Sequence, residues 1–275
     1  MVIKKEGNGV TVSDFGGINL ENTLFCGQAF RWEKDGDGAF CGVVRGKAAR
    51  IVQKSEDCLL FEGAKEAEIA EIWADYLDLT RDYGEIIKKL SRDATVGNSI
   101  KKNGIIHILN QEPWEGLCSF VISQCNNIPR IRGIVKRLCD NFGEEITGTD
   151  MRAFPSAEKI AAEDENSLAV LHAGYRTEYI LNAARAVASG EIDLEKLKKA
   201  DMNDAERTLM SIRGVGKKVA DCAMLYSLGF FDCYPVDRHI ARANAEIYPA
   251  GLPECFDGAR GPAQQYIFLR QRNEE

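Results

Sequence analysis

The chain has 275 residues, 45% of them hydrophobic and 28% charged, with 25 glycines and 7 prolines. That length and balance suit about two domains with a sizeable core, and they exclude a peptide hormone, a disordered chain and a minimal binding motif. Lys and Arg number 35 against 42 Asp and Glu, a net charge of −7 that by itself argues against a nucleic-acid partner.

The nearly apolar run 222–231 is about half of what crosses a bilayer, and the opening Met-Val-Ile-Lys-Lys-Glu-Gly has no apolar signal stretch. Neither a membrane span nor a signal peptide is expected. The 9 cysteines are scattered without paired spacing and no Cys-x-x-Cys occurs, which suits reduced thiols in a cytoplasm and disfavours a zinc ribbon.

Strand patterns come first, at 10–12, 30–32, 40–45 and 49–53, separated by turn material such as Asp35-Gly36-Asp37-Gly38. They predict an antiparallel sheet. From about Lys65 the apolar period becomes helical, with Ile69, Ile72, Trp73 and Tyr76 on one face. Helices are predicted over 83–90, 114–123, 128–142, 156–162 with Ser156 as cap, 178–189 closed by Gly190, 193–199, 204–211, 217–228, 236–248 and 262–270. The fold class is therefore α+β: an N-terminal antiparallel sheet domain with helices over 1–113, then a mainly helical domain over 114–275.

Two local basic patches stand against the acidic total. Residues 126–138 hold Arg130, Arg132, Lys136 and Arg137 with no acid, and 207–218 hold Arg207, Arg213, Lys217 and Lys218 with none. The second patch contains Gly214-Val215-Gly216-Lys217-Lys218, a tight turn that exposes backbone N–H groups at a helix start and so attracts an anion. A phosphate-binding P-loop is excluded, because Ser211 replaces its first glycine and Lys218 its Ser or Thr; the third glycine of a dinucleotide fingerprint is also missing. What remains is a helix-hairpin-helix that grips a DNA backbone without reading sequence, or a plain helical hairpin.

Lys218 sits in the first turn of the second helix, where the dipole and adjacent Lys217 disfavour a further positive charge; an uncharged amine is a nucleophile. Nineteen residues on, Asp237 opens another helix, where by itself it reads as an ordinary cap. Taken together, 214–222 and Pro235-Val236-Asp237-Arg238-His239 resemble the helix-hairpin-helix Gly/Pro-Asp superfamily of base-excision DNA glycosylases, and within it the 8-oxoguanine DNA glycosylases. Cys26-Gly27-Gln28-Ala29-Phe30-Arg31-Trp32 looks like that family's Gly-Gln-x-Phe-Arg-Trp, and Ser123-Gln124-Cys125-Asn126-Asn127-Ile128-Pro129-Arg130-Ile131 resembles its Asn-rich helix junction. Residues 173–176 and 263–268 extend the similarity, giving five segments in the family's order.

The resemblance implies excision of 8-oxoguanine from double-stranded DNA by base flipping, with strand nicking as an AP lyase. Lys218 and Asp237 would be catalytic. Phe268 and Cys222 would sandwich the base, Gln264 would bond its Watson–Crick edge, and the Gly27 carbonyl would accept the N7–H that guanine lacks. Asn126, Asn127, His239 and the backbone of Gly214, Val215 and Gly216 would hold DNA, with Tyr175, Arg176 and Arg130 filling or flanking the flipping gap. Taken singly, Phe268 and Cys222 read as core residues, Gly27 as a turn glycine, and His239, Arg130 and Arg176 as solvated surface. Cys125 departs from the family's asparagine beside the opposite base, so relaxed opposite-base discrimination is expected. No cofactor or metal is expected: the four-cysteine iron–sulfur loop of related enzymes is missing, with only Cys255 after Asp237. The protein is expected to work as a monomer on DNA in a prokaryotic cytoplasm. The alternatives are a glycosylase for another damaged purine and a non-catalytic DNA-binding protein.

Overall fold

The computed structural model describes residues 1–274. Six strands, β1 (Val2–Glu6), β2 (Gly9–Ser13), β3 (Trp32–Lys34), β4 (Phe40–Val44), β5 (Lys47–Ser55) and β6 (Cys58–Glu62), form one antiparallel sheet in the order β1-β2-β6-β5-β4-β3. Alternation sets its buried face: Val10 lies opposite Phe61, Phe61 opposite Ile51 and Ile51 opposite Phe40, all four buried. Helix α1 (Leu20–Phe25) lies between β2 and β3 in the chain. Short helices α2 (Glu66–Glu68) and α3 (Ala74–Tyr76) follow β6, joined by a π-turn over Ile69–Trp73 that brings Trp73 and Tyr76 against Trp32. Gly42 has no side chain for a packing reason: a Cβ there would lie 2.5 Å from the Trp32 ring.

The remaining helices are α4 (Tyr83–Leu90), α5 (Ala94–Asn103), α6 (Pro113–Ile122), α7 (Ile128–Phe142), α8 (Ala157–Ala161), α9 (Arg176–Ala188), α10 (Leu194–Leu197), α11 (Met202–Met210), α12 (Lys217–Ser227), α13 (Arg238–Ile247) and α14 (Arg260–Glu274). Side-chain caps define many starts, among them Asp82, Asp93, Asn127, Ser156 and Asp193. Helices 83–90 and 128–142 fall where the sequence puts them, whereas β1, β6, α1 and α5 were not predicted.

Packing divides the molecule into three cores. The first joins the sheet to α3, and the second fills the bundle from α6 to α12. In the third, Leu90, Val96, Ile100 and Ile106 meet Ile240, Phe256, Tyr266 and Ile267. The boundary at 113/114 cuts across this third core, because α13 and α14 return to cover α4 and α5.

The segment 26–32 links all three. Cys26 lies in the third core; Phe30 packs on Phe120 of the bundle at 5.9 Å; Trp32 enters the sheet core. Arg31 forms a part-buried ion pair of 3.2 Å with Glu115 and also donates to the Arg152 carbonyl. The strand predicted over 30–32 therefore begins only at Trp32, since Phe30 and Arg31 are drawn into the helical bundle. Burial pushes the Glu115 carboxyl above its ordinary value while Arg31 pulls it back.

Candidate active site

Helices α11 and α12 are joined by the glycine turn, whose two glycines do different things. Gly214 has φ 97° and lies on the ring of Tyr179, where a Cβ would sit 2.3 Å from ring carbon Cγ. Buried Val215 closes the turn by donating its N–H to the Ile212 carbonyl at 2.9 Å. Gly216 caps α12 without a side chain to accept from the first-turn N–H groups, and open space surrounds its Cα. Of the three residues expected to hold a phosphate, Gly216 offers the open approach, while Gly214 and Val215 build the turn. Gln124 donates to the Gly214 carbonyl at 2.9 Å and so ties the turn to the α6–α7 junction.

Lys218, half-buried in the first turn of α12, reaches across to the end of α6. Its Nζ donates to Ser123 Oγ at 3.0 Å and stands 5.6 Å from the centre of the Phe120 ring. The Ser123 hydroxyl donates to the Phe120 carbonyl at 2.7 Å, which turns its lone pairs toward the amine. One turn along α12, burial pushes the Cys222 thiol up to about 11; Lys218 draws it down and Asp237 drives it up. Both side chains thus act on Cys222, and the protonated thiol is no rival nucleophile.

Asp237 caps α13. Its Oδ1 accepts from the His239 N–H at 3.0 Å and the Ile240 N–H at 2.9 Å, fixing the carboxylate at the mouth of the helix. Arg238 Nε contacts His239 Nε2 at 3.2 Å.

Gly27, with φ 89°, meets the proposed stacking residue directly: a Cβ built there would lie 3.5 Å from Phe268 Cε1 and 3.7 Å from Ile128 Cδ1. Gln264, on the same helix as Phe268, is buried; its Nε2 donates to the Pro235 carbonyl at 3.1 Å, two residues before Asp237. Its Oε1 accepts from Gln265 Nε2 at 2.7 Å and from the Tyr226 hydroxyl at 3.4 Å.

The junction before α7 holds the remaining residues. Cys125 is exposed at φ 46°, a left-handed conformation that asparagine adopts more readily. Asn126 donates to the Ile122 carbonyl at 3.1 Å, Asn127 caps α7, and Arg130 is exposed one turn in. Tyr175 is 53% exposed, edge-on to Tyr179. Arg176 corrects an expectation. It is 3% exposed, not solvated surface, and its guanidinium is engaged by the carbonyls of Gln124, Cys125 and Ala173, so it holds the junction in shape.

The basic patches are also less free than the sequence suggests: Lys217 pairs with Glu206 and Asp221, Arg213 with Glu178, Arg207 with Asp204, Lys136 with Asp140 and Arg132 with Glu33. Among the described residues, Arg130, Arg137 and Lys218 are the members without an acidic partner, and Arg137 bonds the Leu171 carbonyl. No group of three or more His, Cys, Asp or Glu among them could hold a metal ion. Ser123, Phe120, Ile128 and Tyr226 were not singled out in the sequence as site residues; their part depends on helices 90 or more residues apart meeting, which spacing does not encode.

A hairpin that offers its second helix N-terminus, with a lysine on that helix and an aspartate capping the next, is a helix-hairpin-helix arrangement of the kind that meets a nucleic-acid backbone. Residues 11–117 match the model of the 8-oxoguanine DNA glycosylase N-terminal domain, and 118–251 match that of the HhH-GPD superfamily base excision DNA repair proteins. The chain belongs to the 8-oxoguanine DNA glycosylase family of that superfamily. It is 40% identical over 157 residues to the N-glycosylase/DNA lyase of Saccharomyces cerevisiae, covering 52% of this chain and 42% of that protein. Against N-glycosylase/DNA lyase OGG1 of Arabidopsis thaliana it is 29% identical over 248 residues, covering 81% of this chain and 64% of the relative. The chain thus spans less than two thirds of the length of either. The crystal structure of Clostridium acetobutylicum 8-oxoguanine glycosylase/lyase, in complex with dsDNA containing cytosine opposite to 8-oxoG, superposes with a TM-score of 0.91 at 32% identity, over 100% of this chain and 98% of that one.

Proposed function

We propose that the protein excises 8-oxoguanine from double-stranded DNA and then nicks the strand as an AP lyase. The observation that carries this reading is the Lys218 amine held 3.0 Å from Ser123 Oγ, beside a Cys222 thiol that feels both Lys218 and Asp237, in a chain whose family's solved member holds 8-oxoG DNA. The uncharged amine of Lys218 attacks C1′ of the deoxyribose as the C1′–N9 bond breaks and its electron pair leaves with the base. Asp237 stabilises the positive charge that develops on the sugar. Ring opening gives a Schiff base, whose cationic nitrogen acidifies the C2′ protons; loss of one expels the 3′ phosphate by β-elimination.

Selectivity rests on one donor. The Gly27 carbonyl accepts the lesion's N7–H, and undamaged guanine would set its N7 lone pair against that oxygen. Phe268, directly beside Gly27, provides the stacking face. The rest of the proposal is a monomer acting on DNA in a prokaryotic cytoplasm. All nine cysteines being free thiols supports a reducing compartment.

Borohydride reduction during incubation with 8-oxoguanine duplex tests the chemistry. Wild type is expected to form a covalent protein–DNA adduct and Lys218→Gln none. Base release without an adduct would make water the nucleophile, and neither release nor adduct would leave a DNA-binding protein. Duplexes with formamidopyrimidine or alkylated bases separate another purine lesion from 8-oxoguanine.

A further inference from the structure

The hairpin turn and the junction before α7, two separate approaches to DNA, meet on one side chain. Gln124, half-buried between α6 and α7, uses both amide hydrogens on carbonyls: Nε2 donates to Gly214 at 2.9 Å and to Val121, in the last turn of α6, at 3.1 Å. The Gly214–Val215 peptide is thereby held at both ends, since the Val215 N–H donates to the Ile212 carbonyl at 2.9 Å. The main chain of Gln124 serves the start of α9. Its carbonyl accepts from Arg176 Nε at 2.8 Å and from the Tyr175 hydroxyl at 3.4 Å.

A second contact runs beside the first. The half-buried Tyr179 ring closes against Gly214, where a Cβ would lie 2.3 Å from Cγ, and the exposed Tyr175 ring stands edge-on to it with 5.6 Å between centroids. The turn is therefore held from two sides, by an amide from the α6–α7 junction and by a ring from α9. Each holder leads at once to groups expected to meet the opened duplex: Cys125 and Asn126 follow Gln124, and Tyr175 lies one turn before Tyr179. A phosphate grip anchors a protein on the backbone but does not say where along the stack a side chain enters. That register has to come from the link between the grip and the entering groups.

We infer, on the reading that this site excises 8-oxoguanine by flipping it from the duplex, that Gln124 and Tyr179 are positioning residues that set the gap-entering groups in register with the hairpin's grip. Binding of the backbone at Gly216 then places Tyr175 and residues 125–127 at the lesion's step of the stack. Neither positioning residue need touch the base or the sugar.

The experiment uses the full chain as wild type, Gln124→Met and Tyr179→Leu. Methionine keeps the length of glutamine and lacks its two donors; leucine removes the ring and keeps an apolar contact. Thermal unfolding checks that each variant folds, and either one alone decides. Anisotropy with undamaged duplex reads the grip, stopped-flow fluorescence of a 2-aminopurine 3′ to the lesion reads unstacking, and single-turnover kinetics read release of 8-oxoguanine. Affinity for undamaged duplex should stay within about twofold of wild type, because the phosphate contacts are kept. Unstacking and base release should slow together by roughly 10- to 100-fold, the scale of a displacement of about 1 Å. Base release at the wild-type rate overturns the inference. Slowed release with wild-type unstacking also overturns it, because the damage would then lie at Lys218, whose partner Ser123 precedes Gln124. A loss of undamaged-duplex affinity as large as the loss of rate overturns it too, since the grip itself would have failed. Wild type that neither unstacks nor releases the lesion removes instead the function on which the inference rests.

Discussion

The two glycines of the hairpin turn should fail in opposite ways when each is replaced by alanine. At Gly214 an alanine must adopt φ near 97° and place its Cβ 2.3 to 2.7 Å from the Cγ, Cδ1 and Cβ atoms of Tyr179. A left-handed conformation costs an L-residue about 1–2 kcal/mol. Overpacking adds about 1–3 kcal/mol. The sum, roughly 2–5 kcal/mol, would lower the melting temperature by several degrees in a chain of this size. At Gly216 the backbone is extended, at φ −93°, and an added methyl meets nothing within 4 Å, so the fold should be unaffected. That same methyl would occupy the approach to the α12 N-terminus. Losing a charge-assisted bond to a phosphate there should weaken duplex binding roughly 10- to 100-fold, equally for damaged and undamaged sequences. Urea unfolding and fluorescence anisotropy with a short duplex measure the two effects separately. Gly216→Ala as destabilised as Gly214→Ala, or binding DNA as tightly as wild type, would refute this division of labour. A double-mutant cycle with Tyr179→Ala should return the steric part of the Gly214→Ala cost and leave the backbone part.

Ser123→Ala removes the acceptor that fixes Lys218 Nζ; base excision should slow by about tenfold with duplex affinity unchanged, measured by single-turnover kinetics and anisotropy, and an unchanged rate would show that the Phe120 ring suffices to place the amine. His107, fully buried between the carbonyls of Leu77 and Gly17, has its pKa pushed down to about 4 by burial, from an ordinary 6.5, so the unfolded chain takes up a proton between these values and the folded chain does not. Stability contributed by the neutral ring is present above the unfolded-state value and is lost as the pH falls toward 4; the difference in unfolding free energy between wild type and His107→Gln should shrink by roughly 2 kcal/mol from pH 6.5 to 4.5, and a difference independent of pH would refute it.

Much of the helical part is legible because its signals are local. Ser156 and Asp193 announce helix starts by their own side chains, and the glycine turn marks both ends of the hairpin. The sheet is harder to read. β1 carries the pattern Val2-Ile3-Lys4-Lys5-Glu6, mostly exposed at the sheet edge, and it is a strand because β2 pairs with it, not because its residues alternate. Helix α5 has Gly97 within it, with Thr95 and Ser99 nearby, so its propensity is poor. It forms because Asp93 caps it and Val96 and Ile100 reach the third core. That core is assembled from residues about 150 positions apart, and no window of sequence contains both halves.

The same distinction explains Arg176. Sequence gives it a charge, and a charge taken by itself reads as solvated surface. What sequence omits is that the α6–α7 junction makes a left-handed bend at Cys125, a β-carbon-bearing residue at φ 46°, and that this bend leaves the carbonyls of Gln124 and Cys125 converging on one point. Buried carbonyls need donors, and a guanidinium meets several at once. Arg176 fills that need from α9, while Gln124 turns its amide to Gly214 and joins the junction to the hairpin. The positions expected to meet DNA at this junction, Cys125 beside the opposite base and Asn126 and Asn127 as DNA contacts, therefore stand on a platform held from beneath by a buried cation. The relaxed recognition expected at Cys125 is compatible with a well-formed loop for that reason: Arg176 engages the loop's Gln124 and Cys125 carbonyls from beneath.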